Sequence, residues 1–145
     1  MDPLTHIVLT RAAVGKDLSV LLAGLGPDLS FYLTYPAWVA SEGQARCALA
    51  AGTWPHPPRW MFRLHRFTHS LVVIGMVGLA VRLLAGRWPA RHLAAWCLHI
   101  VIDIPSHSRD PWGPRFLWPL SDIVVDGVPW TEIPVRLWRS LAGRR

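Results

Sequence analysis

Residues 94–104 are apolar except for His99 and, four positions later, Asp103. This spacing places the two side chains on one face of a helix, one turn apart. A carboxylate buried there without a partner would be costly, and a position near a helix C-terminus adds an unfavourable interaction with the helix dipole. A metal ion removes both penalties, so the stretch predicts a buried helix that carries metal ligands.

A pair of histidines repeats this spacing. His65 and His69 lie four residues apart in the sequence LHRFTHS and are predicted to share one face of a second helix. A single histidine in an apolar helix is usually a hydrogen-bonded core residue, but two such pairs favour a common site. Three imidazoles and one carboxylate suit zinc, manganese or iron as the bound ion.

Two further residues are candidates for the same site. His6 lies among apolar neighbours on the predicted first helix, and Asp28 directly follows the break Gly26-Pro27. Asp28 fits a helix N-cap as well as a metal ligand, so both interpretations stay open. His107 would continue the ligand face of the last helix only if that helix persisted beyond Pro105.

The length and the pattern of proline and glycine predict one helical domain that spans residues 1–145. We expect an all-α fold, a small helical bundle with four main helices around a buried polar site. Helices and apolar segments are predicted at residues 4–14, 18–24, 29–39, 59–85 and 90–103. An ordered loop over 106–134 and a basic amphipathic tail over 135–145 follow.

The composition points towards a membrane. The chain is 52% hydrophobic and 17% charged and has nine tryptophans, which favour the membrane–water interface. The apolar run 71–81 is shorter than the roughly 20 residues of a full span. A net charge of +6 favours anionic lipid as a partner, and no nucleic acid is expected because no typical DNA-binding pattern is present. We therefore expect a membrane-embedded or membrane-associated protein.

The order of the polar motifs resembles the bacterial inner-membrane metal-dependent hydrolases of the YdjM type. The resemblance extends over almost the whole chain, and its most specific part is the His-Arg-x-x-Thr-His-Ser element. The position two beyond Asp28, which is usually acidic in that family, is Ser30 here. The matching motifs are Thr5-His6, Gly26-Pro27-Asp28, 65–70 (HRFTHS), 99–103 (HIVID) and 118–121 (WPLS).

This resemblance implies an inner-membrane hydrolase with one or two divalent ions, zinc or manganese. A metal-activated water would attack a phosphoester in a lipid or lipid-linked substrate, with Asp28 or Asp103 as general base. Arg66 is the candidate that holds a substrate phosphate or carboxylate, because its planar fork binds such groups bidentately. The helical His/Asp pattern is also more loosely similar to zinc-dependent phospholipase C. The expected metal ligands are His6, Asp28, His65, His69, His99 and Asp103.

Two other functions remain open at this point. The first is a haem-binding membrane protein with His69 and His99 as axial ligands on facing helices. That function leaves the carboxylates of Asp28 and Asp103 without a role. The second is a non-catalytic membrane scaffold whose metal ion is structural, for which a closed coordination shell is expected.

Overall fold

The computed structural model describes residues 2–110, 112–133 and Trp138. These residues form six α-helices and one 3₁₀ turn, with no β-strand among them, which confirms the all-α prediction; the four main helices expected are too few. Apart from Trp138, which is exposed, the predicted basic tail lies outside the described residues. The helices are α1 Pro3–Ala13, α2 Leu18–Ser41, α3 Gly43–Ala50, α4 Arg59–Thr68, α5 Leu71–Ala85 and α6 Ala90–Ser106.

The first helix is positioned by its cap and by close packing on α2. An Asp2 carboxylate oxygen accepts the Thr5 amide at 3.0 Å, and Pro3 occupies the first turn, where its missing N–H costs nothing. A Cβ added to Gly24 of α2 would lie 2.5 Å from the Thr10 hydroxyl, so the two helices approach closely at this glycine. This packing places the buried His6 of α1 beside α2.

The predicted break at Gly26-Pro27 is wrong, because α2 continues through Pro27 and Pro36. Proline removes a helical hydrogen bond and turns nearby carbonyls away from the helix axis. Two carbonyls of this turn find side-chain partners elsewhere in the fold. Gly24 O lies 2.6 Å from Nδ1 of His99, and Pro27 O accepts the Thr68 hydroxyl at 3.1 Å. Contacts with α4 and α6 therefore support the proline-containing helix.

The predicted single helix over 59–85 is also wrong. It consists of α4 and α5, which are bent by 61° at a short break after Thr68. Ser70 is extended, and its hydroxyl oxygen accepts the Val73 amide at 3.2 Å, as expected of a helix N-cap. The same hydroxyl donates to the Trp118 carbonyl, so the loop after α6 contacts the start of α5.

The last helix continues through Pro105 to Ser106, beyond the end predicted for it. The loop that follows α6 returns to this helix end. The amides of Gly127 and Val128 each donate at 2.9 Å, to the carbonyls of His107 and Pro105 respectively. A Cβ on Gly127 would lie 2.4 Å from the Pro105 carbonyl oxygen, so the close approach requires glycine.

The central helix α2 separates an apolar core from a polar centre. Its C-terminal half packs with α3 and α4 through Tyr35, Val39, Ala45 and Met61. Its N-terminal half contacts α1 and α6 and carries Asp28. The polar centre is therefore built where three helices meet.

Much of the apolar surface of the helices is exposed. On α5, Met76, Leu79, Leu83 and Leu84 are all more than half exposed. None of the helices in the described part of the chain is long and apolar enough to cross a membrane alone. The bent pair of α4 and α5 meets that length and composition criterion together.

Candidate metal centre

Four side chains from three helices converge at the polar centre. One potential ligand atom from each of His6, Asp28, His99 and Asp103 lies within 4.8 Å of the others. We call these four residues the His/Asp cluster; all but Asp28 are buried. The cluster can hold a metal ion, and this agrees with the predicted divalent cofactor.

Asp103 lies at the middle of the cluster, with 1% of its side chain exposed. Its Oδ1 is 3.2 Å from Nε2 of His6, and its Oδ2 is 3.1 Å from Nε2 of His99 and 3.5 Å from Nε2 of His69. Burial alone would raise the pKa of this carboxyl, but the three imidazoles outweigh it and hold the pKa well below its usual range. Asp103 is therefore an anionic ligand candidate.

Asp28 contributes the second carboxylate. Its Oδ1 lies 3.4 Å from Nε2 of His69 and 3.6 Å from Nε2 of His99, and its Oδ2 lies 4.0 Å from Nε2 of His6. Burial opposes ionisation, but interactions with His69 and His99 lower its pKa below the usual range. Its side chain is 15% exposed, so Asp28 is the carboxylate of the cluster that reaches the surface.

Backbone carbonyls orient two of the imidazoles. Nδ1 of His99 lies 2.6 Å from the Gly24 carbonyl, and Nδ1 of His69 lies 3.0 Å from the His65 carbonyl. A carbonyl only accepts, so Nδ1 carries a proton in each ring, and Nε2 is the nitrogen that faces the carboxylates. Metal-binding histidines are typically held in this way by the other ring nitrogen.

The two Nε2 atoms of His99 and His69 lie only 3.3 Å apart. Two lone pairs at this distance repel unless a proton or a cation lies between them. Burial lowers the pKa of His99, but Asp103 and Asp28 outweigh that effect and raise it to about 9. The carboxylates thus favour positive charge at this point, which either a proton or a metal ion can supply.

His6 provides independent support for a ligand site. Its ring is fully buried and stacks on the His99 ring with 3.8 Å between centroids. Neither ring nitrogen makes a hydrogen bond within the described residues, although Nε2 lies 3.2 Å from an Asp103 oxygen. Buried polar atoms rarely lack hydrogen bonds, and a bound metal ion would satisfy one of these two nitrogens, the one that coordinates it. The donor set therefore fits a metal ion.

The other three predicted site residues lie outside the His/Asp cluster, at different positions. His69 adjoins the cluster through the contacts given above, whereas His65 stacks on the His69 ring at 3.8 Å and is outside the four-residue cluster. Arg66 lines a cleft together with Arg109 and Arg115. It therefore lines a separate cleft from the one that contains Asp28.

An open cleft of about 150 Å³, which we call the mouth cleft, gives access to Asp28. Its other polar residues are His65 and His107, and its aromatic residues are Phe31, Tyr32, Trp112 and Trp130. The centre therefore has one side that a small molecule can reach.

His107 is more closely associated with the site than the sequence suggested. Its Nδ1 lies 3.5 Å from an Asp103 carboxylate oxygen and 3.2 Å from the Asp103 carbonyl. Its four-residue spacing from Asp103 indicated a position on the same helix face. The expected end of the helix at Pro105 argued against that position. By contrast, Trp112 and Trp130 carried no recognisable signal, since loop residues reach the cleft only through the tertiary fold.

No family model, curated protein or solved structure matches this chain. Membership of the YdjM-type family stays a prediction that rests on the motifs. Three of those motifs, which contain His6, Asp28 and the pair His99 and Asp103, supply the His/Asp cluster.

Proposed function

We propose that this chain is a metal-dependent hydrolase of the YdjM type, and that its substrate is a phosphoester in a lipid or lipid-linked molecule. The supporting observation is that the His/Asp cluster is buried but opens at Asp28 onto the mouth cleft. Structural metal sites are usually closed by four protein ligands, whereas catalytic sites keep an open position. An accessible carboxylate beside a cleft favours the catalytic alternative over a structural scaffold.

We propose zinc or manganese as the ion, in one or two copies, since the donors are imidazole nitrogens and carboxylate oxygens. When bound, such an ion supplies Lewis-acid chemistry, which acidifies water and offsets charge on a phosphoryl oxygen. His6, His99 and Asp103 hold the site from the buried side. Asp28 faces the cleft, so we assign it, rather than Asp103, the acceptance of a proton from water.

The surroundings of the mouth cleft support an amphiphilic substrate. A neighbouring cleft of about 250 Å³, the aromatic cleft, shares Phe31 and Trp112 with the mouth cleft. Its other residues include Tyr35 and Trp54. We assign it to the apolar part of the substrate, because burial of apolar surface against aromatic side chains is favourable.

The haem alternative is less compatible with the geometry. Axial ligands must approach the iron from opposite faces of a planar macrocycle. Nε2 of His69 and of His99 are 3.3 Å apart, and oxygens of Asp28 and Asp103 lie within 3.6 Å of both. No planar ring fits between these atoms without displacing a carboxylate.

Asp28→Asn should lower kcat for hydrolysis of bis(4-nitrophenyl) phosphate by about 100-fold or more, because the amide accepts no proton. The test measures turnover together with metal content of the purified protein. His92→Ala is the matched control, since His92 is exposed, lies outside the His/Asp cluster and has its Nε2 3.1 Å from the Ser19 hydroxyl. Wild-type turnover by metal-loaded Asp28→Asn would overturn the role of Asp28, and no turnover by metal-loaded wild type would favour the structural scaffold.

We also propose that the protein associates with the bacterial inner membrane through the exposed face of α5. Replacing both Leu83 and Leu84 by serine should weaken binding to anionic phospholipid vesicles by at least about tenfold, since a buried leucine contributes about 1.5 kcal/mol or more. Co-sedimentation measures the effect. Leu33→Ser, at a similarly exposed leucine of α2, is the control. Equal weakening in both variants would refute a specific role for α5.

A further inference from the structure

A second polar cleft lies beside the metal centre. Its volume is about 160 Å³, and three arginines line it: Arg66 from α4, and Arg109 and Arg115 from the segment after α6. We call it the arginine cleft. Among the described residues, one acidic side chain, Asp110, also lines it. Asp122 pairs with Arg115, so Arg66 and Arg109 against Asp110 leave a net positive charge in this small, partly enclosed space.

Two of the three guanidinium groups are available to a ligand. Arg115 is paired, because its Nη1 donates to an Asp122 carboxylate oxygen at 3.1 Å. The guanidinium groups of Arg66 and Arg109 form no ion pair within the described residues. The backbone amide of Arg109 donates to Asp126, which leaves its side chain unaffected. Two unpaired planar forks at one cleft match the oxygens of a phosphate group.

The arginine cleft and the mouth cleft share His65. The His65 ring stacks on that of His69, whose Nε2 lies 3.4 Å from Asp28. The two clefts therefore adjoin at His65. With an ion bound at the His/Asp cluster, a ligand with two anionic groups would have a cation near the mouth cleft and arginines in the neighbouring cleft. This juxtaposition links the second cleft to the proposed reaction.

We propose that the arginine cleft binds a phosphate-type oxyanion, through Arg66 and Arg109, next to the site of hydrolysis. The inference rests on the proposed function, and it narrows the substrate to a phosphoester with a second phosphate beside the reacting one, or assigns the cleft to released phosphate. Both sources present the same tetrahedral oxyanion. Lysine would be a poor substitute for Arg66, since an ammonium group does not bind it bidentately.

The test is calorimetric binding of inorganic phosphate and of pyrophosphate to the full chain as purified. Arg66→Gln and Arg109→Gln should each weaken phosphate binding by about tenfold or more, as expected for loss of charge-assisted hydrogen bonds. Arg59→Gln removes the same charge from the same helix but is outside the arginine cleft, and should leave binding within about twofold.

Tighter binding of pyrophosphate than phosphate, lost in Arg66→Gln, would support the substrate source. An equal loss of affinity for phosphate and pyrophosphate in Arg66→Gln would support released phosphate as the ligand of the arginine cleft. Equal effects of Arg66→Gln and Arg59→Gln would overturn the proposal, because they indicate general charge attraction. If phosphate binding depends on Arg66 but the protein does not turn over the phosphodiester, the proposed hydrolase activity is refuted and phosphate binding in the arginine cleft is not. If the protein turns over the phosphodiester but phosphate binding does not depend on Arg66, only the proposed binding in the arginine cleft is refuted.

Discussion

Asp103→Asn should purify without its metal ion and should lose the stability that the ion provides. The amide is almost the same size as the carboxylate, so packing at this fully buried position changes little. The negative charge that draws three imidazoles together disappears. Metal present at about a thousand times its dissociation constant stabilises a protein by about 4 kcal/mol, so chelator should lower the stability of the wild type by a similar amount.

Thermal unfolding with and without chelator checks this expectation. Wild type should show a large chelator-dependent fall in Tm, and Asp103→Asn should show almost none. Asp17→Asn is the control: Asp17 is about half exposed and forms a surface ion pair with Arg91, which contributes at most about 1 kcal/mol. This control should keep the full chelator effect. The same chelator-dependent fall in Asp103→Asn as in wild type would exclude Asp103 as a ligand.

Gly127→Ala should destabilise the fold by about 2–3 kcal/mol. The added Cβ would lie 2.4 Å from the carbonyl oxygen and 2.5 Å from the carbonyl carbon of Pro105, and backbone atoms have little room to move. Overpacking of this kind costs about 1–3 kcal/mol. Movement of the backbone away from this contact would also lengthen the hydrogen bonds from Gly127 and Val128 to the end of α6. Each of these bonds contributes about 1 kcal/mol.

Denaturant unfolding at constant metal concentration measures the change. Gly75→Ala is the matched control, because nothing lies within 4 Å of a Cβ added there, in the interior of α5. That substitution should raise stability by up to about 1 kcal/mol, as alanine favours helix more than glycine does. An unchanged unfolding midpoint in Gly127→Ala would mean that the loop does not pack on α6 as described.

The pair His99 and Asp103 could be predicted because its geometry is local. Four-residue spacing in an apolar helix fixes the common face, whatever the rest of the fold does. The burial cost of the carboxylate then required positive partners nearby. Both inferences needed only the sequence of one helix, and both side chains belong to the His/Asp cluster.

The path of α2 could not be predicted in this way. Pro27 normally ends or kinks a helix, and the local sequence offers no reason for an exception. The partners of this turn come from elsewhere in the chain: His99 contacts the Gly24 carbonyl, and Thr68 donates to the Pro27 carbonyl. Such tertiary contacts override local preference and are invisible in the sequence around the proline.

His65 shows a second limit of prediction from sequence, which concerns the orientation of side chains. Spacing correctly brings its ring next to that of His69, and the centroids are 3.8 Å apart. The rings stack instead of pointing to a common centre, because Nδ1 of His69 is held by the His65 carbonyl. Arg66 lies about 100° further around the helix, so it reaches a separate cleft. Periodicity thus predicts neighbours on a face but not the direction of each ring.

The His/Asp cluster joins α1 to α6, the first and the last of the described helices. An ion bound there acts as a cross-link that closes a loop of most of the helical chain, in the manner of a long-range disulfide. Such a closure stabilises chiefly by restricting the unfolded ensemble, and its contribution grows slowly with loop length. A bound ion would therefore couple metal uptake to the packing of α1 against α6, in addition to the contacts that already hold α1 on α2.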